Sequence, residues 1–412
     1  MNAKVEYKPI IIVSGAQYGS ESKGSVSAAL CERRSVKYAV RTGTVNAGHT
    51  VYLNGRRYVM QQLPTGWVSP HTTELVIGPG AYVYPEIFFH ECDMVREAGF
   101  RGNIWVDNRA GLHLPSHTEL AQASGSHHRI GATGKGCSHA IISRIRRDHE
   151  SMLFKEWCGT DHPEILFTDT AELLNQAYDE GSQILLEGTQ GTLLDLYLGP
   201  YPYTTHKQCT ASQWVTEAGL SPSLDYEVVL VARTYPIRVA GNSGPMPQEI
   251  DWPTLTHEIN AKLRESGRDL LVAPEAVRDF QVAKNNFPPA RYADVYAWLS
   301  ESNRDAWNQT NEAARTELAK LWEFTTVTKK LRRVARLDTD SLKYSVMVNR
   351  PKWLALTFLN YEFPELWGST ADGTEYGKGV PEYIMEIEKA TGVGVGAVTT
   401  GPESQHFHDF GG

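Results

Sequence analysis

The chain has 412 residues, of which 41% are hydrophobic, and its formal net charge is −8. These values are typical of a globular protein with enough apolar residues for a large core. The negative charge argues against nucleic acid and against a membrane surface as partners. The five cysteines are scattered without a CxxC pair, and residues 1–9 lack the order of a signal peptide. Both features predict a cytoplasmic protein with reduced thiols.

Short apolar runs alternate with helical patterns along the chain. The runs that predict buried strands cover residues 10–13, 75–77, 104–106, 184–186, 228–231, 354–358 and 393–398. The helical patterns cover residues 23–33, 171–180, 309–321 and 382–391. This alternation predicts an α/β fold with a large, mostly parallel central sheet and helices on both faces. Residues 251–325 are rich in charge, Asn and Trp and show no strand pattern. We expect them to form a helical insertion in a single domain that spans residues 1–412.

Two of the predicted strands, at residues 10–13 and 184–186, run straight into glycine-rich turns. Ligands of parallel α/β sheets bind on the loops that follow the carboxyl ends of the strands. The chemistry is therefore expected on these two turns.

The first of these turns, residues 15–25 (GAQYGSESKGS), follows a strand and opens a helix. Its glycines allow a tight turn whose N–H groups can face an anion at the helix N-terminus. Lys23 would place a cation on the β- and γ-phosphates of a nucleotide. The turn is not a Walker A loop, because Ser22 stands where that motif requires glycine. The alternative is an ordinary βα turn with a solvated lysine.

This turn resembles the phosphate loop of the adenylosuccinate synthetase family, whose motif reads GxQWGDEGKGK. Further blocks match that family in the same order, namely residues 45–50 (VNAGHT), 130–136 (IGATGKG), 186–195 (LEGTQGTLLD), 201–205 (YPYTT) and 399–402 (TTGP). The resemblance implies the fold of that family, which is similar to P-loop NTPases. It also implies an enzyme that phosphorylates the 6-oxo group of a purine nucleotide, after which the aspartate nitrogen displaces the phosphate.

The resemblance assigns expected roles to individual residues. The catalytic set is Ser20, Lys23, Gln190 and His49, the last as a general acid that stabilises the transferring phosphoryl group and O6. The triphosphate set is Gly19, Ser20, Glu21, Ser22, Lys23, Gly24, Ser25, Gly48, His49, Thr50, Asn360, Thr400, Gly401 and Pro402. The purine-nucleotide set is Ser20, Asn46, Ala47, Thr133, Arg147, Gln190, Thr205, Val239 and Lys330. The aspartate set is Thr328, Lys330 and Arg332. Ser20 and the Gly48 carbonyl are the expected ligands of Mg²⁺, with triphosphate oxygens supplying most of the rest.

Arg147 aligns with the arginine that reaches the nucleotide phosphate of the neighbouring subunit in this family. The resemblance therefore implies a homodimer in which Arg147 acts across the interface. The alternative is a surface arginine on an amphipathic helix.

Ser20 departs from the family motif, which has its catalytic aspartate at this position. A carboxylate can take the N1 proton of the purine, and a neutral hydroxyl does so poorly. Serine is smaller, however, and leaves room for a 2-amino group from which it can accept a hydrogen bond. The replacement resembles a phage-associated branch of the family that uses dGMP on the way to 2-aminoadenine DNA. A water held by Ser20, or Glu21, is then a candidate for removing the N1 proton, and a phage enzyme would act in the host cytoplasm.

A second departure concerns the phosphate donor. Residues 357–360 (TFLN) stand where the family reads the guanine of GTP with TKLD. Asn360 offers both a donor and an acceptor, and Phe358 offers a stacking face. The expected donor is therefore ATP or dATP, although the Asn360 carbonyl could still read guanine. Lys330 replaces the ribose-contacting arginine of the family, which fits a 2′-deoxy substrate.

Three functions compete at this point. The first is a ligase that joins L-aspartate to dGMP, and the second is an ordinary synthetase that uses IMP and GTP. The third is an inert nucleotide-binding homologue. Ser20 and Asn360 argue against the second function. The third is disfavoured by the joint retention of four residues, Lys23, His49, Gln190 and Arg332.

Overall fold

The computed structural model describes residues 8–125, 129–147, 151–288, 291, 301–325, 330–370, 376–377 and 379–410. Its strands are β1 Ile10–Gly15, β2 Tyr38–Arg41, β3 His49–Leu53, β4 Arg56–Met60, β5 Glu74–Ile77, β6 Tyr82–Val83, β7 Asn103–Asp107, β8 Gly111–Leu112, β9 Leu166–Thr168, β10 Ile184–Glu187, β11 Tyr226–Arg233, β12 Ile237–Arg238, β13 Glu249–Ile250, β14 Arg333–Ala335, β15 Trp353–Thr357, β16 Val395–Thr399 and β17 Phe407–Asp409. Its α-helices are α1 Lys23–Arg33, α2 Pro85–Glu97, α3 Pro115–Ala123, α4 Cys137–Arg146, α5 Phe154–Cys158, α6 Thr170–Asp179, α7 Ala211–Ala218, α8 Trp252–Glu265, α9 Pro274–Asn285, α10 Asn303–Gln309, α11 Glu312–Leu318, α12 Thr339–Asn349, α13 Leu359–Glu362 and α14 Gly379–Thr391.

The described strands build a ten-stranded central sheet in the order β17-β16-β15-β11-β1-β10-β2-β5-β7-β9. Its neighbours pair in parallel except for the antiparallel edge pair β16–β17. The first strand, β1, is an inner strand of this sheet and pairs with β10 on one side and with β11 on the other. The strand order thus reverses around β1, and such a switch point is where open α/β sheets bind their ligands.

Alternating side chains of β1 enter separate apolar clusters on the two faces of the sheet. Ile11 and Val13 belong to one cluster, whereas Ile10 and Ile12 belong to another. Both faces are therefore covered, which explains why the strand reads as a continuous apolar run. The predicted α/β class is confirmed, and all seven predicted strands lie in the central sheet.

The predicted helix over residues 309–321 is wrong in its bounds. Two helices, α10 and α11, occupy this region instead. Asn311 lies between them, and its side chain accepts a hydrogen bond from the N–H of Ala314 (2.8 Å). Asparagine at an N-cap starts a new helix, and this cap separates the two segments.

The described part of residues 251–325 contains the helices α8 to α11. They pack around an apolar cluster that includes Trp252, Phe280 and Trp322, together with residues outside this segment such as Tyr235 and Tyr361. The organisation as one domain with a helical insertion stays a prediction. None of the described helices is long and apolar enough to cross a membrane.

Candidate active site

A cavity of about 890 Å³ lies at the switch point of the central sheet. Its walls come from loops that follow the carboxyl ends of six parallel strands, namely β1, β2, β10, β11, β15 and β16. The cavity is lined by most of the residues predicted for the site: Gly19, Ser20, Glu21, Ser22, Lys23, Gly24, Ser25, Asn46, Ala47, Gly48, His49, Thr50, Thr133, Gln190, Val239, Lys330, Arg332 and Pro402.

The loop between β1 and α1 is held in shape by the buried carboxylate of Glu21. One carboxylate oxygen accepts hydrogen bonds from the N–H groups of Gln17 (3.0 Å) and Gly19 (2.8 Å). The other oxygen pairs with the ammonium group of Lys23, and both side chains are almost fully buried. The charge of Lys23 is therefore balanced within the loop. Because its carboxylate is fully engaged, Glu21 is poorly placed to remove a proton from a purine.

The N-terminus of α1 opens towards the cavity. Val26 donates the first intrahelical hydrogen bond, to the carbonyl of Ser22 (3.1 Å), so the N–H groups from Lys23 to Ser25 precede it. Gly24 permits the close approach of this turn to β3, because a Cβ atom there would lie 2.8 Å from the Cβ atom of His49. Helix N–H groups in this position favour a phosphate.

Ser22 adopts a left-handed conformation with φ = 65°, at a position where the family motif has glycine. We expect Ser22→Gly to raise the free energy of unfolding by about 0.5–1 kcal/mol, because glycine adopts this conformation without a Cβ clash. Chemical denaturation would measure the change. The matched control is Ser25→Gly, which lies inside α1 and should lower stability by a similar amount. Equal signs for the two variants would contradict the expectation.

His49 begins β3, and its Nδ1 atom lies 2.5 Å from a carboxylate oxygen of Glu187. Because Glu187 accepts this bond, we assign the proton of the neutral ring to Nδ1, which leaves Nε2 for a ligand. Burial, with a contribution from the charge of Arg41, lowers the pKa of His49 from 6.5 to about 4 against the opposing effect of Glu187. His49 is therefore neutral at pH 7 in the ligand-free protein.

Glu187 is the centre of a buried network beneath the cavity. It accepts hydrogen bonds from the N–H (2.7 Å) and hydroxyl (2.8 Å) of Thr65 and from the guanidinium of Arg41 (3.2 Å). Burial acts to raise the pKa of Glu187, but the hydrogen bond from His49 and the charge of Arg41 outweigh it and hold this pKa below its ordinary value. Glu187 is thus a carboxylate that fixes the ring of His49. Glu187 lies within the motif at residues 186–195, but the motif alone does not indicate this role.

Ser20 lies exposed in the cavity wall with φ = 61°. Its carbonyl accepts a hydrogen bond from Arg233 (3.3 Å), and within the described chain its hydroxyl makes no hydrogen bond. Gln190, also left-handed with φ = 61°, packs against the same loop, since a Cβ atom on Gly15 would lie 2.5 Å from its carbonyl oxygen. Residues held in this conformation cluster at functional sites. Ser20 thus presents a free hydroxyl to a ligand in this cavity.

The described part of the basic run, residues 330–333, contributes side chains both to the cavity wall and to an ion pair outside it. Lys330 and Arg332 line the cavity. Arg333 instead forms a bidentate ion pair with Glu249 (2.7 and 2.6 Å). Thr328 lies outside the described residues.

An ion pair between a buried arginine and a partly exposed glutamate in the cavity wall supports the segment that carries Arg332. Arg233 pairs with both carboxylate oxygens of Glu323, and its guanidinium lies 3.7 Å from the ring centre of Phe358. The backbone N–H of Arg332 donates to the carbonyl of Glu323 (2.9 Å). Arg233 also donates to the Ser20 carbonyl, so it joins the phosphate loop, the loop after β15 and the Arg332 segment. Sequence reasoning missed Arg233 and Glu323, because no motif marks them.

Five predicted site residues are not in the cavity wall. Arg147 is exposed and follows the end of α4. Asn360 and Thr400 are buried, at 4% and 0% exposure. Thr205 and Gly401 are partly buried. The roles assigned to these five residues stay predictions. Phe358, expected from the sequence to stack on a base, also lines the cavity. The remaining lining residues, to which the sequence assigned no role, are Tyr18, Tyr52, Arg57, Gln61, Gln122, Gly131, Ala132, Gly134, Leu194, Arg238, Ala240, Glu323, Phe324 and Thr325.

The site fits a metal ion that is held mainly by substrate. Within the described ranges, no group of three or more His, Cys, Asp or Glu side chains is placed to hold a metal ion. Mg²⁺ commonly keeps several waters and binds through one or two protein ligands plus substrate phosphates. Ser20 and Gly48 line the cavity beside the phosphate loop, in keeping with this mode.

A parallel sheet with a phosphate loop at its switch point is typical of nucleotide-binding α/β proteins. The family model of adenylosuccinate synthetase matches residues 12–157 and 153–362. The adenylosuccinate synthetase of Pyrococcus sp. (strain ST700) is 33% identical over 404 residues, which cover 97% of this chain and 98% of the relative. That of Methanocaldococcus jannaschii is 30% identical, covering 99% and 98%. The chain therefore belongs to the adenylosuccinate synthetase family and is a ligase of purine nucleotide biosynthesis.

Two solved structures share the fold. The succinoaminodeoxyadenylate synthetase of cyanophage S-2L, bound to dGMP and to dATP as an energy donor, superposes with a TM-score of 0.71 at 23% identity and covers 98% of this chain and 96% of that one. The fully ligated adenylosuccinate synthetase of Plasmodium falciparum superposes with a TM-score of 0.68 at 18% identity, covering 97% and 99%.

Proposed function

We propose that the enzyme joins L-aspartate to C6 of dGMP with hydrolysis of ATP or dATP, giving 2-amino-2′-deoxyadenylosuccinate. The observation that carries the proposal is the free hydroxyl of Ser20 in the cavity wall, where the family motif has aspartate. A hydroxyl can accept a hydrogen bond from a 2-amino group and leaves space for it, whereas IMP has no 2-amino group. The structurally similar cyanophage enzyme was solved with dGMP, which supports this choice of purine.

Different parts of the cavity wall have different roles in the proposed reaction. The loop from Gly19 to Ser25 holds the donor phosphates, and His49, oriented by Glu187, faces the transferring phosphoryl group and O6. A water held by Ser20 takes the N1 proton, O6 attacks the γ-phosphorus, and the nucleoside diphosphate leaves; the aspartate nitrogen then attacks C6 and displaces inorganic phosphate. Mg²⁺, held by Ser20 and Gly48 with the donor phosphates, would neutralise charge on the transferring group. Arg332 and Lys330 bind the aspartate carboxylates.

The donor is proposed to be ATP or dATP, because Asn360 stands where the family motif has the aspartate that reads guanine. Phe358 lines the cavity and can stack on a base of either kind. Asn360 would have to turn outwards to read that base, since it is buried. We further propose a cytoplasmic homodimer in which Arg147 completes the site of the neighbouring subunit.

A second candidate is the ordinary reaction of IMP with GTP, which the names of the archaeal relatives favour at 33% identity. Aspartate-dependent phosphate release, measured with Mg²⁺, with ATP and GTP as alternative donors, and with dGMP and IMP in parallel, separates the two. Turnover with dGMP and not with IMP is expected. Turnover with IMP only would replace the proposal with the ordinary reaction. Nucleotide binding without turnover of either purine would indicate an inert homologue.

A further inference from the structure

A two-stranded hairpin, β3–β4, forms the wall of the cavity beside the N-terminus of α1. Its register pairs Thr50 with Val59 and Tyr52 with Arg57. Val51, Tyr58 and Met60 point into the main apolar core. Because side chains alternate along a strand, Thr50, Tyr52 and Arg57 lie on the other face, and all three line the cavity. One face of the hairpin is thus a built part of the cavity wall.

Arg57 lies close to the N-terminus of α1. Its guanidinium is 3.5 Å from the hydroxyl of Thr50, and the hydroxyl of Ser25 donates to the carbonyl of Thr50 (3.4 Å). The same hydroxyl of Ser25 is 3.2 Å from the carbonyl of Pro402. These contacts place Arg57 beside the first turn of α1 and the loop after β16, where the donor phosphates are expected.

The other cationic side chains of the cavity are already paired or assigned elsewhere, so a further cation beside the first turn of α1 could contact the donor phosphates. Lys23 is neutralised by its ion pair with Glu21. Arg238 is fixed by the carbonyls of Pro245 (2.5 Å) and Tyr203 (2.7 Å), and Lys330 and Arg332 belong to the segment proposed for aspartate.

Arg57 is exposed, and no described carboxylate forms an ion pair with it. A triphosphate keeps net negative charge after binding one Mg²⁺, and the phosphoryl group needs cations around it during transfer.

We infer that Arg57 is a phosphate-binding residue for the nucleoside triphosphate, closing on the donor phosphates from the hairpin that also carries His49. The inference rests on the proposed function only in assuming that a triphosphate is the donor. It does not depend on the identity of the donor base or of the purine substrate.

The test compares Arg57→Ala with Arg56→Ala as its matched control. Arg56 is the neighbouring arginine of the same hairpin, but it packs over the ring of Tyr58 (5.1 Å) and does not line the cavity. Binding of ATP with Mg²⁺, GTP with Mg²⁺, and dGMP is measured by calorimetry. We expect Arg57→Ala to weaken the triphosphate that the wild type binds by about 10- to 100-fold, because a charge-assisted contact is lost. The affinity of Arg57→Ala for dGMP should change less than about twofold. The affinities of Arg56→Ala for the triphosphate and for dGMP should also change less than about twofold.

Two results would overturn the inference. One is equal triphosphate affinity in Arg57→Ala and Arg56→Ala. The other is an equal loss of dGMP and triphosphate binding in Arg57→Ala, which would indicate a general disturbance of the cavity. If the wild type binds GTP rather than ATP, the proposed donor fails, while the comparison of the two arginine variants with GTP still tests Arg57.

Discussion

Replacing Ser20 with aspartate is expected to reduce kcat/KM for dGMP by about 10- to 200-fold and to raise turnover with IMP. We expect this loss because the carboxylate occupies the space of the purine 2-amino group. A fitted pocket that lacks room for one small group of the substrate loses about 1–3 kcal/mol of transition-state binding. The loop should tolerate the change, because Ser20 has φ = 61° and aspartate adopts this region more readily than most residues. Steady-state kinetics with both purines would measure the effect.

The control for this variant is Ser20→Ala, which keeps the space and removes only the hydroxyl. We expect it to lose less than about tenfold in kcat/KM for dGMP, and in selectivity for dGMP over IMP, the value of one neutral hydrogen bond. If Ser20→Asp used dGMP as well as the wild type does, Ser20 would not be the residue that selects the purine.

Replacing His49 with asparagine is expected to lower kcat by about 100- to 10,000-fold, the usual range for the loss of a positioned acid–base group. The KM for aspartate should change little, because Arg332 and Lys330 are on another loop. Glu187→Gln should also lower kcat, since it removes the charge that orients the ring through Nδ1. Thermal unfolding of both variants separates an effect on catalysis from unfolding of the buried network.

The pKa of His49 distinguishes a general acid from a residue that only stabilises the fold, because only the general acid is expected to change its pKa when the triphosphate binds. In the ligand-free enzyme the pKa of His49 is about 4, below its ordinary value. Between about pH 6.5 and about pH 4, the His49 side chain is protonated in the unfolded chain but stays neutral in the folded enzyme. His49 therefore lowers the free energy of unfolding as the pH falls through this range. Bound triphosphate should raise the pKa of His49, because negative charge near Nε2 favours the imidazolium form that donates to the phosphoryl group. NMR titration of His49 with and without ATP and Mg²⁺ should show this rise, and an unchanged pKa would contradict the role of general acid.

Much of the central sheet could be predicted because its strands are buried on both faces. Continuous apolar runs such as residues 10–13 mark such strands directly. Three sheet strands escaped prediction. β2 reads YAVR and ends in a buried arginine, and β9 and β17 have only three residues each. Runs this short carry no periodic signal, and their pairing depends on distant partners.

The phosphate-loop side of the site could be predicted because its residues are adjacent in sequence. The network under His49 could not be, since Arg41 and Glu187 are 146 residues apart and meet only through the parallel register of β2 and β10. The ion pair of Arg233 and Glu323 is a contact of the same kind, 90 residues apart. The cavity face of the β3–β4 hairpin follows from strand alternation, but only once the register is known.

The most direct test of the proposed reaction follows the fate of the purine oxygen. The enzyme is incubated with dGMP labelled with ¹⁸O at O6, L-aspartate, ATP and Mg²⁺, and both products are analysed by mass spectrometry. If O6 is phosphorylated and aspartate nitrogen displaces the phosphate, the label appears in inorganic phosphate, and the nucleotide gains aspartate while losing the labelled oxygen. Unlabelled phosphate, or phosphate release without an aspartate adduct of dGMP, would contradict the account.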